Sequence, residues 1–201
     1  MRLKLTRFDM ITASKFASVY EKAREVGVPN LTMHSGEEGP ADWVRQTLAL
    51  GINRVDHGVH AADDPELLKE LAARSTLLTV CPLSNVRLRV HKDVKESPIP
   101  LLLEAGVPFS INSDDPSYFG EPSFLRCCSL LFLVTDHRFT ETGGYILDNY
   151  LAVQKAFNFP KETWRKIAMN SVNGSWCDEG RKKEIVSLID AHFQEWAEKE
   201  I

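Results

Sequence analysis

Short apolar runs alternate with longer amphipathic segments along the first half of the chain. Four runs predict β-strands, and they extend over Leu31 to His34, Arg54 to His57, Leu77 to Cys81 and Val107 to Asn112. Their first residues lie 23, 23 and 30 positions apart. This spacing is typical of repeated βα units, so we expect parallel strands joined by crossover helices.

The segments between these strands carry the start and stop signals of helices. We predict helices over Ser14 to Gly27, Pro40 to Leu50 and Ile99 to Ala105, each ending beside a glycine. Another helix is expected to begin at Pro65, because proline is favoured at the first helical position and Asp64 is a good N-terminal cap.

The second half of the chain predicts further helices, over Pro160 to Ser171 and Lys183 to Lys199. In the second of these, apolar side chains recur at helical spacing and form one stripe: Ile185, Leu188, Ile189, Phe193 and Trp196. Such a stripe favours packing in a core over a binding surface.

Polar and mostly ionisable residues end all four predicted strands. His34, His57 and the pair Asp114-Asp115 follow the first, second and fourth strands, and Cys81 to Asn85 follows the third. In a parallel αβ barrel the active site lies at the carboxyl ends of the strands. Because unpaired burial of such groups is costly, a functional site explains them better than core packing does.

The residue types indicate a metal site with acid–base chemistry. A neutral imidazole and a carboxylate suit zinc, which lowers the pKa of a bound water to about 7. A second histidine can orient that water and take its proton, while a carboxylic acid protonates the substrate. Of two neighbouring aspartates, one can face the metal while the next contacts water or substrate.

Composition excludes several other classes of protein. The 201 residues are 43% hydrophobic and 26% charged, with a net charge of −4 and no basic block, which makes a nucleic-acid partner unlikely. We expect no membrane span and no signal peptide. The four cysteines form no CxxC pair, which favours reduced thiols and a cytoplasmic location. A nuclear location in addition is compatible with this interpretation. The oligomeric state stays open.

Four motifs in this order resemble those of the adenosine/adenine deaminase family. His34-Ser35-Gly36-Glu37 resembles the family's HAGE motif, and Asp56-His57-Gly58 resembles its following histidine strand. Cys81 to Asn85 and Asn112 to Gly120 most resemble the adenine deaminase branch. The similarity runs from about Ser14 to Gly120 and resumes from about Gly144 to the C-terminus.

The resemblance implies an α/β fold of the (β/α)₈ TIM-barrel type, here an incomplete barrel with about four parallel strands plus C-terminal helices. It implies zinc-dependent hydrolysis of adenine to hypoxanthine and ammonia in purine salvage, with a small-molecule purine as substrate. His34 and Asp114 would be zinc ligands, and Glu37 the proton donor to the purine ring. His57 would orient and deprotonate the water, and Asp115 would hold a purine nitrogen. Glu38 is interpreted as an exposed acid of the next helix.

The chain departs from the family pattern in several places. Its six histidines include no HxH pair, so two expected zinc ligands are absent, and a full barrel typically needs about 250 residues. Residues 1–13 are atypical of the family. Residues 121–143 are interpreted as an insertion, either an artefact of gene prediction or a genuine helix or lid.

We therefore expect residues 1–201 to form a partial deaminase domain that is weakly active or inactive alone. The alternatives are an adenosine deaminase and a non-catalytic truncated isoform.

Overall fold

The first half of the chain forms a four-stranded sheet. The computed structural model describes residues 13–115 and 145–198. Its strands are β1 (Thr32–Ser35), β2 (Arg54–His57), β3 (Leu77–Val80) and β4 (Phe109–Ile111), in the order β1-β2-β3-β4. The pairs β1–β2 and β2–β3 are parallel, and Leu78 N–H donates to the carbonyl of Pro108 beside β4. All four predicted strands are confirmed.

Apolar side chains fill the centre of this sheet. Val55, Leu78, Val80 and Phe109 are fully buried. Parallel strands covered on both faces are expected to be near-continuous apolar runs. The polar residues of the same strands are therefore exceptions to the pattern, and they point to the site.

Helices connect and follow the strands. They are α1 (Ala17–Glu25), α2 (Ala41–Ala49), α3 (Pro65–Arg74), α4 (Pro82–Arg87), α5 (Ile99–Glu104), α6 (Tyr145–Phe157), α7 (Lys161–Asn173) and α8 (Glu179–Glu198). Short 3₁₀ helices cover Ala13–Phe16, Val59–Asp63 and Val94–Glu96. Most of the motif from Cys81 to Asn85 is helical, because Pro82 starts α4 from the first helical position.

The chain divides into two compact units. The first comprises the described residues of Met1–Val80, Pro98–Ser110 and Lys161–Ile201, and the second those of Cys81–Ser97 and Ile111–Pro160. In the second unit α4 packs against α6, and Asn149 Oδ1 accepts from Leu83 N–H at 3.0 Å. Apart from Ala13, the segments 1–13 and 121–143 lie outside the described residues, so those two interpretations stay predictions.

The C-terminal helix α8 only partly follows its predicted burial. Ile185, Ile189 and Phe193 are half-buried, but Leu188 and Trp196 are 62% and 37% exposed. The three half-buried residues recur every four positions and form one row along the helix, whereas Leu188 and Trp196 lie off that row, so the core prediction was wrong for these two. Within the described ranges, no helix is long and apolar enough to cross a membrane.

Asp64 fixes the start of α3, as predicted. Its Oδ1 accepts from the backbone N–H groups of Glu66 and Leu67 at 3.0 and 3.2 Å, and its Oδ2 accepts from both Arg45 amino nitrogens at 3.0 and 2.9 Å. The backbone N–H of Leu67 and then the Arg45 guanidinium lower the pKa of Asp64 below its ordinary value of 3.8.

A lowered folded-state pKa predicts the pH dependence of this cap. Its stabilisation is present above pH 3.8 and is lost as the pH falls through the folded-state pKa. Asp64→Ala should therefore lower the free energy of unfolding at pH 7, and the difference from wild type should shrink below pH 3.8. Urea unfolding across this range measures it, with Asp63→Ala as the neighbouring control. A difference that stays constant with pH would contradict the prediction.

Candidate metal and catalytic site

Backbone hydrogen bonds join the turns that follow β1 and β2. Gly58 N–H donates to the carbonyl of Ser35, and His60 N–H donates to the carbonyl of Gly36, both at 2.9 Å. Gly36 has a φ of 67°, and a Cβ there would lie 2.5 Å from Val44 Cγ2. Both the positive φ and the close approach of Val44 require glycine at this position. The tight turn places Glu37 beside the end of β2.

The imidazole of His57 is buried against Glu37. Its side chain is 2% exposed, and Nδ1 lies 3.4 Å from Glu37 Oε1. His57 also has a φ of 66°, which lies in the left-handed region that non-glycine residues seldom adopt. The backbone therefore departs from strand geometry at the residue whose ring meets the carboxylate.

His34 lies beside this pair, and its side chain is exposed to solvent. Its ring centroid is 4.9 Å from that of His57, and its side chain is 71% exposed. One imidazole is therefore enclosed while its neighbour is accessible to solvent and to a ligand. The structure thus brings together three of the predicted site residues, His34, Glu37 and His57.

The second unit contains the two predicted aspartates. Ser84, which is buried, donates from Oγ to Asp114 Oδ2 at 2.5 Å, while Asp115 is exposed. Asp114 has a φ of 60°. A serine hydroxyl that holds one carboxylate oxygen restricts the rotation of the carboxylate.

The non-glycine residues with a left-handed backbone conformation occur at two kinds of position. Five described non-glycine residues have a positive φ. Three of them, Ser75, Arg89 and Asn158, lie at the ends of helices, where this conformation is common. The other two are His57 and Asp114, and backbone strain of this kind clusters at functional sites.

The donor atoms fit a zinc ion by type. Imidazole nitrogens and carboxylate oxygens are ordinary zinc ligands, and the cluster supplies two imidazoles and a carboxylate in the first unit. Glu37 and His57 also form a carboxylate–imidazole pair suited to proton transfer.

Comparison with a model of the adenosine deaminase family gives a match over residues 6–125 and 130–192. The chain belongs to the adenosine deaminase family. The match includes all five predicted site residues, His34, Glu37, His57, Asp114 and Asp115. The family resemblance read from the motifs is confirmed.

Relatives within the family are adenine deaminases. The chain is 47% identical to the adenine deaminase of Aspergillus fumigatus over 179 residues. The aligned region covers 89% of this chain and 44% of that protein. The adenine deaminase of Saccharomyces cerevisiae is 43% identical over 178 residues, 87% of this chain and 45% of the relative. The chain therefore spans about half the length of the curated relatives it matches.

The fold is that of a solved adenine deaminase. The structure from Arthrobacter aurescens matches with a TM-score of 0.76 and 32% identity, over 91% of this chain and 49% of that one. The parallel sheet with its helices confirms the predicted α/β fold of barrel type, present as an incomplete barrel. A more distant amidohydrolase, described with bound zinc, shares the fold at 24% identity.

Two residues at this family site were given no role by sequence reasoning. Asp56 was quoted only as the neighbour of His57, and Ser84 only as part of the motif after the third strand. An acidic residue inside a predicted strand, between Val55 and His57, is a signal for Asp56. The contact of Ser84 had no such signal, since its partner Asp114 lies 30 residues further along the chain.

Gly36→Ala tests the tight turn before Glu37. The new methyl group would meet Val44 in addition to the backbone strain, so the free energy of unfolding should fall by about 2–4 kcal/mol. Gly106→Ala is the matched control, because Gly106 has a φ of 73° but, among the residues that the structure describes, no atom lies within 4 Å of an added Cβ. It should lower the free energy by only about 1 kcal/mol.

Chemical denaturation of both variants measures the difference. In a Val44→Ala background the Gly36→Ala change should cost less, because the clashing methyl is gone. Equal losses for Gly36→Ala and Gly106→Ala would contradict the steric account.

Proposed function

We propose that this chain carries the chemistry of a zinc-dependent adenine deaminase, which converts adenine and water to hypoxanthine and ammonia in purine salvage. The observation that carries the proposal is the cluster of His34, Glu37 and His57 at the ends of adjacent strands. Adenine deaminases among the relatives support the choice of adenine as substrate. The absence of a CxxC pair in the sequence supports a cytoplasmic location, which can include the nucleus as well.

His34 and Asp114 are the proposed zinc ligands of this chain. Their donor types suit the ion, and the amidohydrolase described with bound zinc shares the fold. The exposure of the His34 ring leaves its nitrogens accessible to a metal. Zinc, when bound, supplies Lewis-acid chemistry that lowers the pKa of water.

Glu37 and His57 are the proposed proton-transfer groups. A protonated Glu37 delivers a proton to a purine ring nitrogen, which makes C6 more electrophilic. His57 accepts a proton from the water as its oxygen bonds to C6, and it passes this proton to the exocyclic amino group. The bond from C6 to that nitrogen then breaks to release ammonia, while the C6 hydroxyl gives its proton to the Glu37 carboxylate and becomes the carbonyl of hypoxanthine. The burial of His57 favours proton transfer, because a low-dielectric site strengthens the interaction with Glu37.

Asp115 is the proposed contact to the purine. It is exposed beside Asp114, so its carboxylate can accept a hydrogen bond from a purine N–H. The substrate is a small purine, and the net charge of −4 gives no electrostatic support for a nucleic-acid partner.

The chain alone is proposed to be a weak enzyme. Its histidines, at positions 34, 57, 60, 91, 137 and 192, form no HxH pair. Two ligands define the geometry of a catalytic metal poorly, since zinc in catalytic sites has three protein ligands. We expect turnover below the usual enzymatic range of about 1–1,000 s⁻¹.

Glu37→Gln tests the proposed chemistry directly. The amide cannot deliver the proton, so hypoxanthine formation from adenine should fall to that of a zinc-only blank. Glu38→Gln is the matched control, because it removes the same charge one residue away from an exposed side chain. Chromatographic measurement of hypoxanthine and ammonia after long incubation with zinc gives the rates.

The same assay separates the other candidate functions. Faster turnover of adenosine than of adenine would replace the proposal with an adenosine deaminase. Product at the level of the blank, with no zinc bound, would favour a non-catalytic isoform. Stoichiometric zinc with turnover well inside the usual range would contradict weak activity, and equal effects of both glutamine variants would contradict the role of Glu37.

A further inference from the structure

Asp56 has no role in the chemistry proposed above, yet it lies at the centre of the site. It occupies β2 one residue before His57 and pairs in register with His34 of β1 and Thr79 of β3. Its side chain is 16% exposed. An enclosed carboxylate needs partners that compensate for the lost water.

The two oxygens of Asp56 have different partners. Oδ1 accepts from Thr79 Oγ1 at 2.9 Å and lies 3.5 Å from Arg54 Nε. Oδ2 accepts from Thr32 Oγ1 at 2.8 Å and lies 3.8 Å from His34 Nε2. Hydroxyl groups on the two neighbouring strands therefore fix the carboxylate, and one oxygen faces the imidazole.

Arg54 contacts the other oxygen of Asp56. Its guanidinium lies 3.9 Å above the ring of Trp176, and its Nε faces Oδ1 of Asp56. The cation–π contact fixes the guanidinium over the Trp176 ring. Burial, and after it the charge of Asp56, raises the pKa of Tyr20, whose hydroxyl donates to the carbonyl of Thr32 at 2.7 Å.

We propose that Asp56 is a positioning residue for His34, orienting its imidazole for metal binding through Oδ2 while Thr32 and Thr79 hold the carboxylate. This inference rests on the proposed role of His34 as a zinc ligand. Carboxylates behind a ligating histidine orient the ring and raise its basicity. The 71% exposure of the His34 side chain makes such a contact consequential, since solvent alone would leave the ring free to rotate.

Zinc affinity of the full chain tests the proposal. Asp56→Asn keeps the shape and can still hydrogen-bond to both threonines, but it removes the charge that faces His34. We expect zinc binding, measured by competition with a chromophoric chelator, to weaken about 10–100-fold. Thr32→Val, which frees Oδ2 without removing the charge, should weaken binding in the same direction by less. It also serves as a second variant if Asp56→Asn folds poorly.

Asp63→Asn is the matched control for charge. Asp63 contacts His60 Nδ1 at 2.8 Å in an exposed pair, so its replacement removes one carboxylate beside a histidine outside the cluster. It should change zinc affinity by less than about two-fold.

A double-mutant cycle distinguishes positioning from general structure. If Asp56 acts through His34, Asp56→Asn should have little further effect on zinc affinity in a His34→Ala background. An equal loss in both backgrounds, or no loss with Asp56→Asn alone, would overturn the inference while leaving His34 as a ligand. Unchanged affinity in His34→Ala would overturn the metal assignment itself. Absence of zinc binding by the wild-type chain would overturn both, because Asp56 would have no ligand to position.

Discussion

The parallel register of β1 with β2 is the constraint on which the candidate site depends. His34 pairs with Asp56, and Ser35 pairs with His57. Parallel strands end at the same edge of a sheet, so this register places the ring centroids of His34 and His57 4.9 Å apart. A shift of one residue would turn the polar side chains of one strand to the opposite face and separate them.

Two features maintain that register at the strand ends. The turn after β2 donates hydrogen bonds to the turn after β1, which links the two loops that carry Glu37 and His57. Gly36 permits the approach, since the side chain of Val44 occupies the space where a Cβ would lie. The packing of α2 against the sheet, through Val44, therefore affects the position of Glu37.

Sequence patterns predicted the features that depend on local residues. The four strands were visible as apolar runs, and Asp64 with Pro65 marked the start of α3. The exposure of Leu188 was not predictable, because it depends on which row of α8 meets its neighbour. Nor was α4, since proline starts a helix as well as it interrupts one.

The candidate site was also only partly predictable from the sequence. Strand-end positions and family motifs identified its residue types, but the hydroxyl groups around Asp56 come from two other strands, β1 and β3, that are distant from it in sequence. The left-handed conformations of His57 and Asp114 were also not predictable from the sequence, since the usual sequence signal for that conformation is glycine.

The positive φ of His57 limits which amino acids evolution can place there. Histidine, asparagine and aspartate are several-fold enriched in this region of backbone space, whereas β-branched and bulky residues are strongly disfavoured. A replacement such as glutamine would alter the proton chemistry and strain the backbone together, so its phenotype would mix two causes. Asparagine tolerates the conformation without offering an imidazole, which makes it the substitution that isolates chemistry from folding at this position.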